Sequence, residues 1–165
     1  MRNEKCKKKP CILLFAFCIL HFASAALRAA EGLSTPFADV QVSHIPLGVA
    51  TRVRDAGGPD LVLQNTGDHP IKVQVEILTP SARDLRSTAQ AIPDVHWVQV
   101  VPVTVLLSAR QSAVCSVIIT VPDEKKYAHK TYQVMIWSHS RPDSENAVSI
   151  GAGLLSRLRF TTGRR

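Results

Sequence analysis

Cysteine is nearly absent from the part of this chain that reads as folded. Of its four cysteines, Cys6, Cys11 and Cys18 lie near the N-terminus and only Cys115 lies further on. One cysteine excludes an internal disulfide, so a hydrophobic core must hold the domain together, and about 140 residues are enough for one. No apolar run reaches the roughly 20 residues that span a bilayer. There is no glycine loop that could cradle phosphate: Gly151-Ala152-Gly153 has no helix pattern after it. No serine sits in a nucleophile-elbow sequence, and no two histidines share a metal-ligand spacing. Internal repeats, low-complexity tracts and a convincing long helix are missing as well. These absences predict no catalytic residues, no cofactor and no metal, and therefore a protein that is not an enzyme.

What is present begins with an export leader. Arg2, Lys5, Lys7, Lys8 and Lys9 form a basic start, Ile12 to Phe22 an apolar run broken by His21, and Ala23-Ser24-Ala25 a small-residue cleavage site. The reading is residues 1–25 as signal peptide, cleaved after Ala25 or Ala26, 26–36 as a flexible lead-in, 37–162 as the domain and 163–165 as a basic tail. Five of the twenty basic and one of the thirteen acidic residues lie in the leader, leaving fifteen against twelve, a net of +3. The remaining basic residues are scattered, which excludes a nucleic-acid footprint. The expected location is periplasmic, extracellular or cell-surface, with no stable membrane span once the leader is removed.

Beyond the lead-in, short alternating runs are separated by turn residues. Ile71 to Leu78 is the clearest: Ile71, Val73, Val75 and Ile77 share one face, Lys72, Gln74 and Glu76 the other. That period of two predicts a strand with one face on a core and one in water. Further strands are expected at 37–42, 47–53 with Gly48 as a bulge, 61–64, 97–101, 103–107, 113–121, 131–138 and 153–161. Pro102 argues for an edge or a kink. Asn65 to Pro70 and Ser140 to Asn146 read as turns. The sum predicts an all-β, immunoglobulin-like antiparallel β-sandwich of about seven to nine strands.

Several residues stand out. Cys115 alternates with Val117, Ile119 and Val121 and reads as a buried, inert thiol; its spacing from His129 and Met135 does not fit a copper site. Trp97 and Trp137 are large enough to fill the core. Because Tyr132, Val134 and Ile136 share a face, Met135 and Trp137 point the other way. They form an apolar patch bordered by His139 and Arg141 if that face is exposed. Thr79 to His96 breaks the strand pattern, and its middle could form a turn or two of helix. It is either a crossover between sheets or a recognition loop offering Arg83, Asp84 and Arg86. The candidate partner-binding residues are therefore Arg83, Asp84, Arg86, Trp137 and Arg141.

Ile92-Pro93-Asp94 with Trp97, Val103 to Leu107, Arg110-Gln111-Ser112 leading into Val114 to Pro122, and Tyr132-Gln133-Val134 together give the second half a family look. This stretch, roughly Asp60 to Thr162, resembles exported bacterial immunoglobulin-like domains. Those include glycan-module-associated domains and the N-terminal domains of wall-associated surface proteins. It departs from them at Ser108 to Gln111, which lacks the glycine common there. The wider group includes pilus chaperones, which have two domains where this chain has room for one. The resemblance implies a binding or assembly module of the cell envelope that engages a protein partner through a sheet edge or loops. The alternatives are an envelope glycan (peptidoglycan)-binding domain and, behind it, a single-domain chaperone-like protein.

Overall fold

A computed structural model describes residues 32–141 and 151–163; the leader and most of the 140–146 turn lie outside the described residues. Eleven strands form two packed sheets. The first sheet joins β1 (Leu33–Ser34), β4 (Leu61–Asn65), β9 (Ser112–Ile119), β3 (Thr51–Arg52) and β7 (Val98–Val101). The second has the order β2 (Asp39–Ile45), β11 (Gly153–Thr162), β10 (Thr131–Arg141), β5 (Ile71–Leu78), β8 (Thr104–Leu107), with β6 (Gln90–Ala91) also beside β10. Inward positions of both sheets meet in one core, and its aromatic centre is a chain of contacts. Trp97 meets Tyr132 edge-on at 5.3 Å between centroids and Tyr127 at 4.7 Å, and Tyr132 tilts on Phe160 at 5.7 Å.

The expected immunoglobulin-like sandwich is the observed fold, with differences of detail. It is not wholly antiparallel: β2 runs parallel to β11, and β6 parallel to β10. The strand expected over 47–53 shrinks to Thr51–Arg52. Gly48 takes a left-handed φ of 73°, and Leu47 makes only an isolated bridge to Val121. The strand at 131–138 runs on to Arg141, so Ser140 and Arg141 are strand, not turn. Within the stretch read as lead-in, Leu33–Ser34 pairs with Asn65 and Gln64. At Pro102, where an edge or a kink is expected, the chain switches sheets. The Val101–Pro102 bond is cis, with β7 before it in the first sheet and β8 after it in the second.

Buried polar groups lock the connections. Asn65, fully buried, donates its amide to the carbonyls of His69 (2.8 Å), Ser108 (3.1 Å) and Leu107 (3.2 Å), and its Oδ1 accepts from Gly67 N–H at 2.8 Å. One side chain thus ties the β4–β5 turn to the β8–β9 turn and satisfies groups that burial would otherwise leave unpaired.

Candidate partner-binding surface

The outer face of the second sheet carries most of the candidate residues. Register fixes its layout. On β10 the odd positions Gln133, Met135, Trp137, His139 and Arg141 face outward, opposite Arg159, Arg157, Leu155 and Gly153 of β11 and Leu78, Glu76, Gln74 and Lys72 of β5. Trp137 is 38% exposed and its cross-strand neighbour Leu155 56%, whereas Met135 is buried. The indole stacks on His139 at 4.0 Å between centroids, and His139 Nε2 lies 3.2 Å from the Glu76 carboxylate. Gly153 makes room for this: a Cβ there would stand 3.3 Å from the indole Nε1. The patch expected from the alternation of β10 is therefore exposed at Trp137 and Leu155, and sequence reasoning missed Leu155 as its second member. The alternation of β11 held the signal, since Leu155 falls between inward Leu154 and Ser156.

Beside this patch three arginines surround one carboxylate. Asp39 accepts from Arg157 at 3.0 Å and Arg159 at 3.1 Å, and Arg86 approaches at 3.5 Å. Desolvation pushes the Asp39 carboxyl up, but the bonds and charges of Arg157 and Arg159 outweigh it and hold the group below its ordinary value. The Nε atoms of Arg157 and Arg159 are buried without a hydrogen-bond partner among the described residues. Three guanidiniums against one carboxylate leave the cluster net positive. Sequence reading missed it because Asp39 and its partners are far apart in the chain.

The segment from Thr79 to His96 does two things at once. Its middle, 81–91, contains no helix: two turns close by Asp84 N–H to Ser81 O (3.0 Å) and Ala89 N–H to Arg86 O (2.9 Å). Gln133, fully buried on the outer face, donates to Asp84 O at 2.8 Å and accepts from Arg86 N–H at 3.0 Å. The loop therefore lies across the sheet before the chain crosses to the first sheet at the 3-10 turn Val95–Trp97. Asp84 accepts from the Ser81 hydroxyl at 2.6 Å, and Arg83 is exposed with no ion pair among the described residues. Arg86 joins the Asp39 cluster. Trp137 lies four residues beyond Gln133, and exposed Arg141 eight residues beyond it, about 27 Å along β10. The five candidates thus share one face without forming one compact site.

The edges of the sandwich offer a second surface. β8 ends the second sheet with Leu106 75% exposed, and Val101 and Val103 are exposed on either side of Pro102. The remaining readings concern the core. Trp97 is buried, and so is Cys115, whose thiol burial pushes up from its ordinary value. No helix among the described residues is long and apolar enough to cross a membrane.

Solved structures share this fold at low identity. A PapD-like domain of human CEP192 matches with a TM-score of 0.58 at 13% identity over 81% of this chain and 86% of that one. A putative carbohydrate-binding protein from Bacteroides ovatus matches at 0.56 and 15%, over 81% of this chain and 37% of its own. The periplasmic chaperone SfaE matches at 0.52 and 10%, over 81% and 59%. The chain thus spans a little over a third and about three-fifths of the last two. No family model matches the sequence, and no curated protein matches it. The fold is PapD-like, within the immunoglobulin-like sandwiches.

Proposed function

We propose that this protein is a non-enzymatic, exported binding module of the bacterial cell envelope that engages a protein partner through its loops and a sheet edge. The observation that carries the reading is the outer face of the second sheet. There the half-exposed Trp137–Leu155 pair adjoins a net positive cluster and a loop pinned in place by Gln133. An apolar anchor with arginines to one side is the composition of a protein-recognition patch. A PapD-like fold shared with a periplasmic chaperone supports a binding role at the level of fold, and the leader pattern at Arg2 to Ala25 supports export. The chaperone-like alternative is a narrower form of the same proposal, in which a partner strand adds to the β8 edge beside Leu106.

The test is a pull-down from envelope extracts run beside sedimentation with purified peptidoglycan, using wild type, Trp137→Ala and Arg83→Ala/Arg86→Ala. The arginine pair is exposed, so its removal changes stability by about 0 to 1 kcal/mol. The expected result is capture of a protein partner that weakens in both variants while their melting temperatures stay near wild type. Sedimentation with the wall and no protein capture would instead establish the glycan alternative. Capture that ignores all three substitutions would move the site to the β7–β8 edge.

A further inference from the structure

We propose that His44 and His129 form a binding site for a divalent transition-metal ion at one end of the outer face of the second sheet. Five histidines lie among the described residues, and three of them have a carboxylate partner. His69 lies 2.9 Å from Asp68, His96 lies 2.7 Å from Asp94, and His139 lies 3.2 Å from Glu76. The other two, His44 and His129, have no hydrogen bond, ion pair or ring contact among the described residues. The same two are the histidines with left-handed backbone, φ 63° and 55°. They are also the two that line a single depression of about 450 Å³, together with Ser43, Thr161, Thr162 and Gly163.

Both positions are held firmly. On β2, Val42 pairs with Phe160 and Ile45 with Thr162, so Ser43 and His44 together oppose Thr161. This bulge turns two successive side chains outward, and re-aiming a side chain is what bulges do. Gly163 N–H then donates to Ile45 O at 2.9 Å, closing the chain end against His44. On the other flank the buried Thr162 hydroxyl donates to Tyr127 O at 2.6 Å and accepts from Lys130 N–H at 3.0 Å, while Thr162 N–H donates to Lys130 O at 2.9 Å. These bonds clamp the turn that carries His129 onto β11. The two histidines therefore flank one strand, two inter-strand spacings or about 10 Å apart at the backbone. Two imidazoles reaching into the space between them can share an ion at about 2.0–2.1 Å each.

Neutral imidazole suits zinc, copper and nickel. No group of three or more His, Cys, Asp or Glu residues gathers among the described residues. The ion would thus keep open positions for water or an outside ligand, unlike a closed structural zinc site.

Isothermal titration of the chain, carrying no histidine tag, with the chlorides of Zn(II), Cu(II) and Ni(II) tests this at about pH 7.5. His44→Gly and His129→Gly are the informative variants, because glycine takes a left-handed backbone freely and the fold is kept. The expected result is one ion per chain for at least one metal, weakened at least tenfold by either substitution, since even supporting contacts of a metal ligand are worth 10–100-fold. Affinity unchanged in either variant overturns the proposal. So does binding of inorganic phosphate with no metal binding, which would make the depression an anion pocket.

Discussion

Arg110, in the turn from Ser108 to Gln111 that contains no glycine, takes a glycine-like conformation, with φ 64°. A left-handed backbone costs a residue with a Cβ about 1–2 kcal/mol, partly offset by the greater unfolded-state freedom of glycine. Arg110→Gly is therefore expected to stabilise the domain by about 0.5–1 kcal/mol, measured by urea unfolding. Asp39 gives a pH prediction. Its carboxyl is held below the ordinary aspartate value, about 3.9, by Arg157 and Arg159. Its contribution is thus complete above that value and disappears as pH falls through the lowered one. Asp39→Asn should be less stable than wild type by about 1 kcal/mol at pH 7, because three arginines lose their counter-charge. The difference should close as pH falls below the lowered value; a gap that persists in strong acid would mean the side chain acts through packing. Cys115, buried and raised in pKa by desolvation, should react slowly with a thiol reagent in the native protein and quickly once unfolded.

Among the elements, the loop between β5 and β6 depends on one side chain. Gln133 offers both an acceptor and a donor to its backbone, accepting from Arg86 N–H and donating to Asp84 O. Gln133→Leu keeps the volume but removes both bonds. It is expected to cost about 1–3 kcal/mol and to raise amide exchange across residues 84–89 well above that of β10. Unchanged exchange would show that Pro80, buried at the base of the loop, holds it instead. The 3-10 turn at Val95–Trp97 is fixed by a short-range device: Asp94 accepts from His96 N–H at 2.9 Å, which caps the turn and sends Trp97 into the core.

For the whole molecule, the sandwich closes without a disulfide, since Cys115 is the only cysteine among the described residues and is free. Stability therefore rests on one shared core, and the two sheets are expected to unfold together in a single transition. Export is the prediction at this scale: N-terminal sequencing of material from outside the cytoplasm should begin at Ala26 or Leu27, and a cytoplasmic product that still begins at Met1 would sink it.

Local chemistry made some of this legible. A period of two over Ile71–Leu78 identifies a strand and its inner face wherever one side meets a core, because successive side chains point to opposite faces. The same rule, applied to β10, separated outward Trp137 from inward Tyr132, Val134 and Ile136, and applied to β9 it put Cys115 inside. Proline chemistry marked a break at Pro102, an edge or a kink, but not that the chain changes sheets there. Other features have no local trace. The parallel β2–β11 pairing depends on where the first strand docks, and the Asp39 cluster follows from that docking, joining residues from three separate segments. Gln133 reads as an ordinary outward polar residue until the loop folds over it. Only the bulge in β2 and the Thr162 clamp bring His44 and His129 to one depression. Alternation and turn residues act over a few neighbours and were readable in the sequence. Which strand edges meet, and which distant side chains then share a face, is decided by packing two sheets into one core, and only the tertiary structure shows it.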